Sequence, residues 1–565
     1  MRRALPLLIA LMLMFSAWLA ESARDLLWAK FTAYTNPVLQ LLPPAPPSRP
    51  LTQRLVLIWV RGLRLDAAQR MPTLNALRAR GASLMVEHTA PTWRAPATFT
   101  LLSGARPETH GALLPDEAAG RGLDTLFHAL QRAGRTAALV GESRWADWFE
   151  DAVPRLSLVA AEDVAARDDQ AVTLALEALR DVEQPVAFVL VELALPEATL
   201  RTNPDAYATA VAATDVRVQQ LVGALDLSKV TVAVLGDRGL DDRGRDGGSE
   251  PAIARAPAVI AGAGVRTNVA AIARAEDVAP TLAVLMGAAP PVHAQGRPLF
   301  EMLDASPEAM QAAAQQLTAF YEAWSELRAR PRFAAPLLRE YEAAIHQGDA
   351  RAFQVWFVRL DRAAQAERDE LRRAAQWIRV PLVIGIALTL AALVGAGAQA
   401  AGWASAAGGL AFVAVQVAFM LGDGSLPSFT LFEQGQPRAL WMRLAPASAA
   451  GVLIASVLVA VLVHRRSPAD VLLGVSGALA LATLVSAAWA LRLYLEWGDQ
   501  WEGFLPPADD LAWALVGLNQ IAAMNARVAA DLPPLPLSIL ALALAAGVRV
   551  LIRRITPEDR RWRWR

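Results

Sequence analysis

Hydrophobic residues are distributed in two different ways along the chain. Between residues 53 and 303 the apolar runs are short: Leu55–Val60, Thr136–Val140, Val186–Val191, Val230–Leu235 and Ala258–Ala261. Segments with helical spacing lie between them, including Met71–Arg80, Leu123–Gly134, Asp168–Leu179 and Pro204–Leu225. A strand covered on both faces reads as a continuous apolar run. The alternation therefore predicts an α/β domain, a mostly parallel sheet with helices on both faces. After Ile378 the runs lengthen to Val380–Gln399, Trp403–Leu421, Leu440–Val463, Val471–Leu495 and Leu535–Ile552. Each approaches the ~20 apolar residues that a bilayer core requires. Another run, Ala4–Ala20, follows Met1-Arg2-Arg3 and has the form of a signal anchor or a cleavable signal peptide.

This patterning divides the chain into a signal anchor or transmembrane helix (1–24), a proline-rich linker (25–52), the α/β domain (53–303), a helical stalk (304–375) and a transmembrane bundle of about five helices with a basic tail (376–565). Ser306-Pro307 and Gly348-Asp349 mark helix starts within the stalk. With the N-terminal segment, six spans are expected. Basic residues then sort to one side: Arg2, Arg3, Arg465, Arg466, Arg553, Arg554 and the Arg- and Trp-rich tail from Arg560. Acidic residues of the 496–534 loop (Glu496, Asp499, Glu502, Asp509 and Asp510) fall on the other. The positive-inside rule thus predicts an integral, multi-pass membrane protein with both termini cytoplasmic and the α/β domain extracytoplasmic. Leu511–Ala530 is apolar but broken by Asn519, Gln520, Asn525 and Arg527, and reads as an interfacial or re-entrant helix.

Composition narrows the chemistry. Lys plus Arg and Asp plus Glu balance at 54 each, so no basic field marks the chain for nucleic acid. With no cysteine, disulfides and thiolate metal sites are excluded. Ionisable residues are scarce inside the expected spans, with Arg492 nearest to an exception, which argues against a transport pathway.

Four stretches, in order, carry a recognisable pattern. They are Leu57-Ile58-Trp59-Val60-Arg61-Gly62-Leu63-Arg64-Leu65-Asp66, continued by Met71-Pro72-Thr73-Leu74; Ala90-Pro91-Thr92-Trp93-Arg94-Ala95-Pro96-Ala97-Thr98 through Gly104; Gly236-Asp237-Arg238-Gly239 with Asp246-Gly247-Gly248; and Asp277-Val278-Ala279-Pro280-Thr281 with Gln295-Gly296-Arg297-Pro298. Together they resemble the alkaline phosphatase superfamily, most closely its type I phosphodiesterase/nucleotide pyrophosphatase branch. The resemblance implies a site for two zinc-type ions, held by three Asp and three His, beside a Ser or Thr nucleophile. Carried over by position, the first metal Asp falls on Arg61 and the nucleophile on Arg94. The Asp-x-x-x-His pair falls on Leu195 and Thr199, the Asp-His pair on Asp237 and Arg238, and the last His on Asp246. Asp237 alone keeps the family's residue. The six histidines, His88, His110, His128, His293, His346 and His464, all lie off the ligand positions.

Two readings of these substitutions stand. Arg61, Arg94 and Arg238 form an internal salt-bridge cluster with the carboxylates, or they present surplus guanidinium to an anionic ligand such as phosphate, sulfate or a lipid headgroup. Either reading makes the chain a membrane-anchored pseudoenzyme that binds or assembles, with the bilayer and a protein partner in a membrane complex as companions and no cofactor. The competing expectation is an active membrane-bound phosphodiesterase, phosphatase, sulfatase or phosphoethanolamine-type transferase. It would need two zinc-type ions, or a replacement metal site built from His88 or His110 with Asp237.

Overall fold

The computed structural model describes residues 5–39, 44–117, 122–422, 428–432, 437–463, 468–498, 501 and 505–525. The chain divides into two compact units, one spanning Tyr34–Glu370, the other gathering the N-terminal helix and the helices after Leu371.

The first unit is built on eight strands: β1 (Arg54–Val60), β2 (Gly81–Glu87), β3 (Ala137–Gly141), β4 (Arg155–Leu158), β5 (Phe188–Leu193), β6 (Val230–Gly236), β7 (Arg255–Gly262) and β8 (Val269–Arg274). Their order is β4-β3-β5-β1-β6-β7-β2-β8. All neighbours pair in parallel except β7, which runs antiparallel to both β6 and β2. The five apolar runs became β1, β3, β5, β6 and β7. The three strands not anticipated lie toward the edges and lack a continuous apolar signal: β2 alternates buried and half-buried residues, β8 is largely open, and β4 has four residues. Helices Val164–Arg180 and Tyr207–Gly223 bury Ala171, Val172, Val211, Val218 and Leu221 in the core that covers one face of the sheet.

Two segments depart from the expected divisions. Helix Leu5–Thr32 continues eight residues past the 24 assigned to the anchor, and the later part of the 25–52 linker is docked. Ser48 N donates to Gly287 O at 2.9 Å and Leu51 N to Leu285 O at 3.0 Å. Proline-rich backbone has few donors, so pairing these satisfies groups that would otherwise meet a buried surface. The stalk residues likewise pack within the first unit. Helices Pro307–Leu327 and Ala334–His346 pack on each other, and the start of Ala350–Ala401 lies against the α/β core. Asp361 binds Arg106 at 2.8 Å and Arg274 at 3.3 Å, while Phe353 meets Phe300 edge-on with centroids 4.7 Å apart.

In the second unit the helices are Leu5–Thr32, the later part of Ala350–Ala401, Trp403–Gly422, Pro437–Leu462, Pro468–Trp497 and Ala508–Asn525. Among the described residues one stretch, Leu473–Trp497, is long and apolar enough to cross a membrane; Arg379–Leu388, Trp403–Phe419 and Pro446–Leu462 are shorter apolar helical stretches. Residues 1–4, 464–467 and 526–565, with Arg2, Arg3, His464, the Leu535–Ile552 run and the basic tail, lie outside the described residues. In helix Ala508–Asn525, the described part of the segment expected to be interfacial or re-entrant, Asn519 and Gln520 point into the unit. Gln520 accepts from Ser486 at 3.2 Å and donates to Gln416 at 3.5 Å, Gln416 donates to Ser448 at 3.4 Å, and Asn519 accepts from Arg24 at 3.2 Å. Such side chains interrupt an apolar run while serving as interhelical links.

Truncation of the bridging carboxylate, Asp361→Ala, is expected to cost the first unit about 2 kcal/mol, because two partly buried guanidiniums lose a charged acceptor. Thermal unfolding of the intact protein followed by tryptophan fluorescence checks this.

Candidate functional site

Parallel strands end at one edge of a sheet, and neighbours lie ~4.8 Å apart. The order β3-β5-β1-β6 therefore lines up the residues at their C-terminal ends: Glu142 after β3, Glu192 on β5, Arg61 after β1, and Asp237-Arg238 after β6. Arg94 opens helix Arg94–Ser103, and Asp246 lies in the loop that returns to β7.

Gly62 makes this convergence possible. Its φ is +63°, and a Cβ there would stand 2.7 Å from Leu240 Cδ1 and 2.9 Å from Glu197 Cβ. Its N–H donates to Asp237 Oδ1 at 2.8 Å, which ties the end of β1 to the end of β6. Asp168 anchors the helix that carries Glu197, accepting from Ala194 N at 2.8 Å and Leu195 N at 3.1 Å. Burial raises the Asp168 carboxyl to about 6 against these stabilising N–H groups.

The charged side chains interlock. Arg61 reaches Glu197 at 2.5 Å, Glu142 at 3.0 Å and Glu192 at 3.7 Å. Arg94 pairs with Glu142 and, at 3.1 Å, with Glu192, while its guanidinium lies 5.4 Å from the centroid of the Trp148 ring. Arg238, 1% exposed, pairs with Asp237, with Glu197 at 2.7 Å and with Asp246 at 2.7 Å. Arg201 closes the network, 2.9 Å from both Glu197 and Asp246. Four guanidiniums thus face five carboxylates.

Burial alone would raise the Glu197 carboxyl, but Arg238, Arg61 and Arg201 outweigh it and hold it well below the usual range. At Glu142 burial also raises, and Arg61 and Arg94 bring the net shift downward. Asp237 is pushed up, first by burial and then by Glu197, against the pull of Arg238. Burial works against the Arg61 cation, yet Glu197, Glu192 and Glu142 hold it firmly charged.

Of the site positions expected from sequence, Arg61, Arg94, Asp237, Arg238 and Asp246 enter this network. Leu195 and Thr199 do not. The four-residue spacing is instead realised by Glu197 and Arg201, two positions further on, which lie on one face of helix Leu195–Thr202 and meet at 2.9 Å. Glu142 and Glu192 went unrecognised, although their places just at the ends of two predicted strands were a usable signal.

The donor set does not fit a two-zinc centre. Guanidiniums sit at Arg61 and Arg238, each of the five carboxylates is engaged by arginine, and among the described residues no group of three His, Asp or Glu is arranged to hold a metal ion. Among the described residues the histidines lie apart from this network. His110 shares a 3.0 Å hydrogen bond with Thr100 Oγ1 and accepts from Ala112 N at 3.1 Å, and burial depresses it to about 3. His88 is buried and depressed to about 4 by desolvation. The hydroxyls near Arg94 are also engaged: Thr92 donates to Gly248 O at 2.7 Å and Thr100 meets His110.

No family model matches the sequence, and no curated protein matches it. Solved structures do. Murine ectonucleotide pyrophosphatase/phosphodiesterase 5 aligns with 42% of this chain and 96% of its own, at 14% identity and TM-score 0.34. Its human counterpart gives 42%, 95%, 14% and 0.34 in the same measures. A 2-O GAG sulfatase aligns over 45% of this chain and 76% of its own, at 13% identity and TM-score 0.37. At such identities and scores the likeness carries none of those proteins' chemistry to this chain.

Removal of the central cation should be costly: Arg238→Met leaves Asp237, Glu197 and Asp246 facing one another and is expected to destabilise the unit by about 3–5 kcal/mol. Adding Glu197→Met should recover part of that loss, measured as a double-mutant cycle on the unfolding midpoint. Acid dependence has a defined sign. With folded values below the 4.5 of a free glutamate, Glu197 and Glu142 stabilise above that pH and lose their contribution as pH falls through the depressed values. The raised Asp237 opposes them, costing stability as pH rises from 3.8 through its folded value. Melting curves of wild type and Glu197→Gln should therefore converge as the pH falls from 4.5 through the depressed folded value of Glu197.

Proposed function

We propose that this chain is a membrane-anchored pseudoenzyme whose alkaline-phosphatase-like domain serves as an extracytoplasmic binding or assembly module. The observation that supports it is the closed network of Arg61, Arg94, Arg201 and Arg238 with five carboxylates. Two divalent ions in the related enzymes would bring four positive charges to such a place. Four guanidiniums supply the same charge here. They are fixed cations that neutralise the carboxylates but cannot activate a nucleophile or take a phosphoryl oxygen into a coordination shell. At the nucleophile's position Arg94 carries no hydroxyl, and its guanidinium is spent on Glu142 and Glu192.

Charge balance disfavours anion capture at this place. Arginines outnumbered by carboxylates have no surplus to offer phosphate or sulfate, so the role we assign to the cluster is to hold the strand ends in one arrangement. The membrane role rests on the apolar helices. Leu473–Trp497 is one candidate span, and the distribution of arginines in the sequence supports a multi-pass topology with cytoplasmic termini. In that arrangement the bilayer and a second protein of a membrane complex are the natural partners.

Elemental mass spectrometry of the detergent-purified protein after exposure to zinc and manganese, paired with a bis(p-nitrophenyl) phosphate assay, tests the proposal. Metal below about 0.1 equivalent with no hydrolysis is the expected result. About two equivalents, together with turnover abolished by Asp237→Ala, would replace the pseudoenzyme with an active hydrolase.

A further inference from the structure

The helical unit holds a cavity of about 380 Å³ between its N-terminal helix, helix Pro468–Trp497 and helix Ala508–Asn525. Its lining on the N-terminal helix runs from Ser16 to Lys30, a length of ~21 Å at 1.5 Å per residue. Between those two residues that wall is leucine and alanine alone. Small side chains leave the space unfilled: Ala20, Ala23, Ala487, Ala490 and Ala514 all face it. Leu19 and Leu26, on its margin, are more than half exposed, so the cavity is a groove open to the outside of the unit.

Shape narrows the occupant. A helix with its side chains is ~10–12 Å across and needs far more room than this groove has. One leaflet of a ~30 Å hydrocarbon core is about 15 Å deep, so a single lipid chain matches the groove in length as well as in width. Apolar walls also ask nothing of a hydrocarbon chain, which carries no group to satisfy.

The lining also includes Tyr494 and Trp501, two aromatic residues that each carry a polar tip. Trp501 is 6% exposed, and its indole Nε1 is buried without a hydrogen-bond partner. An indole nitrogen only donates, and buried donors are paired in the great majority of cases, so the occupant has to bring an acceptor to Trp501. Tryptophan and tyrosine are enriched at headgroup level, where an apolar ring and a polar tip are both accommodated.

We propose that this groove binds one acyl chain of a membrane phospholipid, with Trp501 donating to an ester or phosphate oxygen of the same molecule. A phospholipid joins the two things the groove requires, a slim apolar chain and an oxygen acceptor at its end. In the orientation proposed above the N-terminal helix and helix Pro468–Trp497 both run outward, which puts Lys30, Tyr494 and Trp501 at the extracytoplasmic headgroups. The site rests on the membrane-anchored reading of the chain.

Native mass spectrometry of the intact protein, purified in detergent and titrated with phosphatidylglycerol, tests the site. One lipid per chain should remain bound at detergent concentrations that strip the rest. Ala490→Phe, which puts a ring into the groove, should lower retention at least about tenfold, and Trp501→Phe, which removes the donor and keeps a ring, about fivefold. Leu410→Phe, at an exposed apolar position of helix Trp403–Gly422, should leave retention unchanged. Retention that survives Ala490→Phe and Trp501→Phe, or that falls as far in Leu410→Phe, overturns the proposal, because apolar surface in general then holds the lipid. Absence of any retained lipid overturns it as well. If Ala490→Phe does not fold, Ala487→Leu and Trp501→Phe carry the test. Alkaline carbonate extraction of the membranes separates the two failures: protein released by carbonate sinks the membrane reading together with the site, whereas protein that stays in the membrane and retains no lipid sinks the site alone.

Discussion

A charge withdrawn from water is tolerated inside a protein only when another charge compensates it. That constraint governs the α/β unit. The strands β3, β5, β1 and β6 deliver Glu142, Glu192, Arg61 and Asp237-Arg238 to one edge, and helix Leu195–Thr202 adds Glu197 and Arg201. No one of these groups could be buried alone. Glu197 illustrates the balance, since the guanidiniums of Arg238, Arg61, Arg201 and Arg94 together reverse the effect of its burial. The approach at Gly62, where a side chain would collide with Leu240 and Glu197, is part of the same packing problem.

Such a network contributes little net stability compared with a well-packed apolar cluster, yet each member becomes expensive to remove. The aromatic floor assists: Arg94 lies over Trp148, and Trp145 meets Trp59 edge-on with centroids 5.6 Å apart. The strand ends are fixed by ion pairs at the rim and aromatic contacts beneath.

The helical unit answers the same constraint with neutral groups. Ser448, Gln416, Gln520 and Ser486 form a hydrogen-bonded series across four helices, and Asn519 receives Arg24. Gly517 brings its helix close to the one carrying Ser486, whose carbonyl oxygen would lie 2.3 Å from an added Cβ. Polar residues that interrupt a hydrophobic run therefore mark an interior seam here.

Local pattern determined the alternating α/β class, the five central strands and the lengthened apolar runs after Ile378, because a doubly covered strand and a long apolar helix each leave a sequence period that needs no partner to be read. The positions of Arg61, Arg94, Asp237, Arg238 and Asp246 were legible too, from motif order. β2, β4 and β8 were not, since edge and half-covered strands lack that period. Nor could sequence choose between paired and surplus arginine, or place Glu142, Glu192, Glu197 and Arg201 in the site. Those answers depend on which strands become neighbours and on how a helix is phased against the sheet, and residues as distant as Arg61 and Glu197 acquire a distance only when the sheet is assembled.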